Sequence, residues 1–117
     1  MAEYQRIEVS ENGDVTVVRF NDRKIIHEVQ IEELGHELFS LLEQENRQNI
    51  LLNFSTVEFL SSAALGKLIK LEKEVKTRNG RIKLSNIRPE IYEVFAITKL
   101  NRIFEIKNDE AEAIAEF

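Results

Sequence analysis

The chain has 117 residues, with 16 Lys and Arg against 21 Asp and Glu for a net charge of -5, and no cysteine. That length suits one domain over residues 1–117, and the missing cysteine excludes disulfides, thiol catalysis and zinc–thiolate centres. An acidic surface repels nucleic-acid phosphates, no apolar run approaches a bilayer span, and residues 1–10, MAEYQRIEVS, hold no apolar segment like a signal peptide, so the expectation is a cytoplasmic protein that binds neither nucleic acid nor membrane.

Two strand-like runs, Arg6–Ser10 and Val15–Phe20, flank Asn12-Gly13. Asn-Gly tolerates the positive φ of a type I′ turn, so the runs are predicted to pair antiparallel. Lys24–Ile26 reads as a short third strand. From Val29 the period changes. Ile31, Leu34, Leu38, Leu41 and Leu42 recur at three-or-four spacing, the apolar face of a helix. Gly35 interrupts it at a cost of about 1 kcal/mol relative to alanine, which a close approach to a sheet would offset.

Asn49–Phe54 is short and almost wholly apolar, as in a parallel strand covered on both faces. A second helix opens at Ser61 or Ser62 and runs to about Thr77, burying Ala64, Leu68, Leu71 and Val75 with Leu65 and Ile69 alongside. Gly80 fits the stop just past its end. Arg81–Ile87 reads as a strand with Ile82 and Leu84 on one face. Pro89 suits the first turn of a third helix, where its missing N–H has no partner to lose, and Ile91, Val94, Phe95 and Thr98 form its inner face. Ile103–Ile106 is a last short strand, and Asp109 with Glu112 resembles a capping box before a final helix. The order predicts an α/β fold: a mixed sheet of about four to six strands packed against about four helices.

Catalytic constellations are missing. His27 and His36 do not make a ligand pair at i, i+4. Ser62 lacks the glycine frame of a nucleophile elbow, and no glycine-rich phosphate loop follows a strand. A receiver-type phosphoacceptor needs acidic side chains at strand ends to hold a divalent cation, whereas the central strand ends at Asn53-Phe54. The expectation is a protein with no enzymatic activity, metal or cofactor.

The stretch Glu58–Lys67, EFLSSAALGK, holds the candidate chemistry. Serine is a favoured N-cap and alanine the best helix former, so SSAAL reads first as an ordinary helix start. It also suits a switch. A helix N-terminus favours a phosphate, and a new dianion there would disrupt a close interface by repulsion and desolvation.

The run ILLNFSTVEFLSSAALGKLIKLEKEVKTRNGRIKLSNI, followed by RPEIYEVFAITKLNRIFEI, resembles the STAS domains of bacterial anti-sigma-factor antagonists. The resemblance covers about residues 12–115. The family's Asp-Ser-Ser-Gly-Leu-Gly-like motif stands here as Ser61-Ser62-Ala63-Ala64-Leu65-Gly66. The resemblance implies a partner, an anti-sigma factor that is also a serine kinase of the GHKL ATPase type. It implies binding through Asn53, Ser61, Ser62, Ala63, Ala64 and Gly66. It further implies an off-switch by phosphorylation at Ser62 and a reset by a serine phosphatase. Ser61 replaces the motif's acid and competes as acceptor. Asn53 replaces an aspartate at the strand end, His27 loosely matches an acid near the first long helix, and Ala64 replaces a glycine. The rival expectation is a constitutive STAS scaffold or assembly module whose serines stay unmodified.

Overall fold

The computed structural model describes residues 4–117; the first three, part of the N-terminal stretch read above, lie outside the described residues. In chain order the elements are β1 (Ile7–Asn12), β2 (Val15–Phe20), β3 (Lys24–Ile25), α1 (Glu28–Glu43), β4 (Asn49–Asn53), β5 (Phe59–Leu60), α2 (Ser62–Thr77), β6 (Arg81–Ser85), α3 (Pro89–Ile97), a 3-10 turn (Leu100–Arg102), β7 (Glu105–Lys107) and α4 (Glu110–Ala115). The main sheet has the order β1-β2-β4-β6-β7. Only β1–β2 is antiparallel; the other neighbours are parallel. The mixed sheet of five strands and the four α-helices match the expected α/β architecture.

The hairpin forms, but its turn is displaced by one residue. Asn12 pairs with Val15, so the loop is Gly13-Asp14. Gly13 has φ +60° and Asp14 does not have a positive φ. A positive φ at the first central position alone is the type II′ pattern, in place of the expected type I′. The short strand at Lys24-Ile25 also forms, but outside the main sheet. It pairs parallel with β5 in a separate two-stranded sheet.

Strand alternation sends successive side chains to opposite faces. On one face Val18, Phe20, Ile50, Leu52, Ile82 and Leu84 meet the apolar stripes of α1, α2 and α3 in the main core. Four rings link the layers: Phe20–Phe54 at 4.8 Å between centroids, Phe54–Phe95 at 6.3 Å and Phe95–Phe104 at 6.0 Å. On the other face Val15, Val17 and Leu51 pack under Ala113, Ile114 and Phe117 of the C-terminal segment.

Two glycines do different work from that expected. Gly35 is buried on α1, but it faces α2 and not a sheet. A Cβ there would stand 3.1 Å from Cδ of Lys67. The helix α2 ends in a Schellman motif: Gly80 N–H donates to Val75 O at 2.8 Å and Asn79 N–H to Lys76 O at 3.0 Å. Asn79, with φ +61°, takes the left-handed position. Gly80 is needed because a Cβ would lie 2.4 Å from the Gln48 carbonyl oxygen. On α3, Ile91 and Phe95 are buried as expected, but Val94 and Thr98 are exposed. At α4, Asp109 accepts from Glu112 N–H at 2.8 Å, one half of the expected box. The Glu112 carboxylate accepts from Asn108.

Candidate functional site

The small sheet places two helix starts side by side. β3 runs into α1 and β5 into α2, with Lys24 paired to Phe59 and Ile25 to Leu60. Backbone bonds extend the junction: Glu58 N–H donates to Arg23 O at 2.7 Å, and Ser61 N–H to Ile25 O at 3.0 Å. The α1 corner is held by Gln30. Its carbonyl oxygen accepts from Ile26 N–H at 2.9 Å and His27 N–H at 3.2 Å, and its amide donates to Lys24 O at 2.8 Å. Sequence reasoning passed over Gln30; its signal was a Gln at the third helical position, the reciprocal half of a capping box.

The two serines divide their work. Ser61 is the N-cap of α2, with φ -74° and ψ 165°. Its hydroxyl accepts from Ala64 N–H at 3.2 Å and its carbonyl from Leu65 N–H at 3.0 Å. Ser62 stands at the first helical position, exposed and free of the capping task. Ala63 is exposed beside it. Gly66 is half-buried, and nothing lies within 4 Å of where its Cβ would stand. A mid-helix glycine costs about 1 kcal/mol relative to alanine, and packing within the chain gives Gly66 no reason to bear it.

Two residues of the expected partner surface are nearly buried. Ala64 is 1 % exposed, on the inner stripe of α2. Asn53 is 5 % exposed. Its amide donates to Glu110 at 2.6 Å and its carbonyl oxygen accepts from Ser55 N–H at 2.8 Å. Both are nearly buried: Ala64 packs under the first turns of α2, and Asn53 faces α4 on the other side of the sheet. The edge itself consists of Ser62, Ala63 and Gly66, with exposed Ile26, Val29 and Phe59 contributed by the two corners.

A groove of about 300 Å³ runs between the first turns of α1 and α2, lined by Ile26, Glu28, Ile31, Glu32, Ala63 and Lys67. Lys67 crosses it to Glu32 at 3.1 Å. His27 and His36 are both exposed. Among the described residues no group of three or more His, Cys, Asp or Glu is arranged to hold a metal, and no helix is long and apolar enough to cross a membrane. The arrangement offers a hydroxyl at a helix N-terminus, a low surface beside it and an apolar rim.

Known proteins share this arrangement of elements. BtrV of Bordetella bronchiseptica, named as an anti-sigma factor antagonist, is 26% identical over 93 residues, covering 80% of this chain and 79% of its own length. A Thermotoga maritima protein named as an anti-sigma factor antagonist superimposes with a TM-score of 0.83 at 22% identity, covering 94% of this chain and 92% of that one. The Bacillus cell fate determinant SpoIIAA, in its phosphorylated form, superimposes with a TM-score of 0.71 at 22% identity, covering 94% and 97%. The model of the STAS domain matches residues 6–113, nearly the whole chain, and the chain belongs to the STAS domain family.

Proposed function

We propose that the chain is an anti-sigma factor antagonist. Its Ser62 edge binds an anti-sigma factor that is also a serine kinase of the GHKL ATPase type. Phosphorylation of Ser62 ends that binding, and a serine phosphatase restores it. The protein acts by binding and catalyses no reaction. The observation that carries the reading is the division between the serines: Ser61 is consumed by capping, and Ser62 is exposed beside Ala63 and an unpacked Gly66. The names of the relatives support the partner class, and the solution of SpoIIAA in phosphorylated and unphosphorylated forms supports the switch.

A phosphate adds about -1.5 to -2 charges. At the first position of α2 it meets the positive end of the helix, which favours the modified state. It also meets the apolar rim of Ile26, Val29 and Phe59. A partner seated on that rim would have to desolvate the dianion, and binding is lost without any change of fold.

The test is affinity capture from host lysate with wild type, Ser62→Ala and Ser62→Asp, read by mass spectrometry. A GHKL-type kinase is expected with the first two and not with Ser62→Asp. Equal capture by all three would overturn the switch. It would favour the second reading, a constitutive assembly module, which draws on exposed Tyr92, Val94, Ile97 and Ile103 around α3. Self-association that ignores the state of Ser62, measured by sizing chromatography, would mark that module.

A further inference from the structure

Strand register aligns a polar row across the sheet: Glu8, Arg19, Asn53, Ser85 and Lys107 stand opposite one another on successive strands. The first turn of α4 docks onto the middle of this row. Arg19 donates to both carboxylate oxygens of Glu110 at 2.8 Å, and Asn53 donates to the same carboxylate at 2.6 Å. The other end of the Asn53 amide holds the loop that leaves β4, by accepting from Ser55 N–H. Backbone bonds anchor the same loop at three further points. Phe54 N–H donates to Ser85 O at 2.9 Å, Val57 N–H to Phe54 O at 2.9 Å, and Glu58 N–H to Arg23 O at 2.7 Å. It then enters β5 and reaches Ser61 and Ser62.

We infer that Glu110 and Asn53 are positioning residues for the Ser62 edge: the C-terminal helix sets, through the Glu110–Asn53–Ser55 chain of hydrogen bonds, how firmly the loop carrying the serine motif is held. The inference rests on the reading of the Ser62 edge as the partner surface. Its physical basis is the orientation of one buried side chain. An amide has distinct donor and acceptor ends, and the carboxylate of Glu110 dictates which end of Asn53 faces the loop. A helix as short as α4 has little stability of its own. It is held by docking, by the Glu110 contacts at its start and by Phe117 under Arg81 and Lys83 at its end. Its grip therefore responds to small changes in charge, whereas the core on the opposite face does not.

Hydrogen–deuterium exchange of the full chain, read by mass spectrometry, tests this without any partner. Glu110→Ala removes the acceptor that orients Asn53. Exchange across residues 55–62 is expected to rise on the order of ten- to a hundredfold, the size that follows from losing one charge-assisted hydrogen bond, while the α1 amides stay unchanged. Asn53→Asp sets two carboxylates against each other at the same contact and is expected to loosen the same loop. Adding Glu110→Gln restores a donor–acceptor pair, and protection should return in the double variant. A rise confined to residues 105–117, a uniform rise throughout the chain, or no rescue in the double variant would each overturn the inference. If Asn53→Asp does not fold, the Glu110→Ala result decides. The outcome is independent of phosphorylation, so failure of the Ser62 switch and failure of this coupling are separately visible.

Discussion

On one face of the sheet, Phe20, Phe54, Phe95 and Phe104 meet ring to ring under three helices; on the other, Arg19, Asn53, Ser85 and Lys107 form a polar row partly covered by a helix of six residues. The first face gains from removing apolar surface from water, which is non-directional and tolerant of small displacements. The second has only a small apolar cluster of Val15, Val17, Leu51 and Ala113 and adds hydrogen bonds and ion pairs, which depend on geometry and are partly offset by desolvation. Ser62 sits on a helix of the first face, while the loop leading to it is tied to the second. Stability and adjustability are thereby separated within a chain of 117 residues.

The largest break in this contrast should come from the apolar face. Phe54 is 0 % exposed and meets one ring tilted and another edge-on. Phe54→Ala should lower unfolding free energy by about 3–5 kcal/mol, from lost transfer and the cavity left behind. Urea denaturation measures it, and a loss below about 1 kcal/mol would mean that the ring chain does not anchor the core.

An intermediate effect separates the serines. Ser61→Ala should cost about 1 kcal/mol through the lost cap. Ser62→Ala should stay within about 0.5 kcal/mol, as for an exposed position without special contacts. Equal losses in the same denaturation experiment would erase the division on which the proposed switch depends.

The smallest effect sharpens the polar face. Lys83 is 1 % exposed on β6 and donates to Glu105 on β7, whose own side chain is mostly exposed. Hydrogen bonding to Lys83 holds the Glu105 carboxyl below its ordinary value of 4.5, against the opposing effect of burial. A lowered folded-state pKa means that the unfolded chain takes up this proton first. The contribution is therefore complete above the ordinary value and is lost as pH falls through the lowered one. Stability should decline slightly on the acid side of about pH 4.5, and this component should vanish in Lys83→Met. A profile identical in wild type and Lys83→Met would remove Glu105 as its source.

Glycines and caps show where local reading reached its limit. The helix stop after Thr77 was legible because Gly80 follows the last apolar position, yet the roles within it were not. Asn79 takes the left-handed residue, and Gly80 is required by the Gln48 carbonyl, which lies in a distant part of the chain. Gly35 was legible as an interruption, but its neighbour Lys67 belongs to another helix. The Asn12-Gly13 signal located the hairpin, while pairing of Asn12 with Val15 chose the turn.

What the residues determined by themselves is whatever depends on near neighbours in the chain. The order of the main-sheet strands and of the helices, the apolar stripes of α1 and α2, and the Ser61-Ser62 helix start all follow from periodicity and capping chemistry over a few residues, whereas the two-residue β5 was not legible. What only the tertiary structure decided depends on partners far apart in sequence. Asn53 and Ala64 are drawn beneath the surface, Ser62 is left outside it, and Glu110 meets Arg19 across 91 residues. A hydroxyl or carboxylate carries the same chemistry wherever it stands, and only the packed fold decides which of its atoms are already occupied.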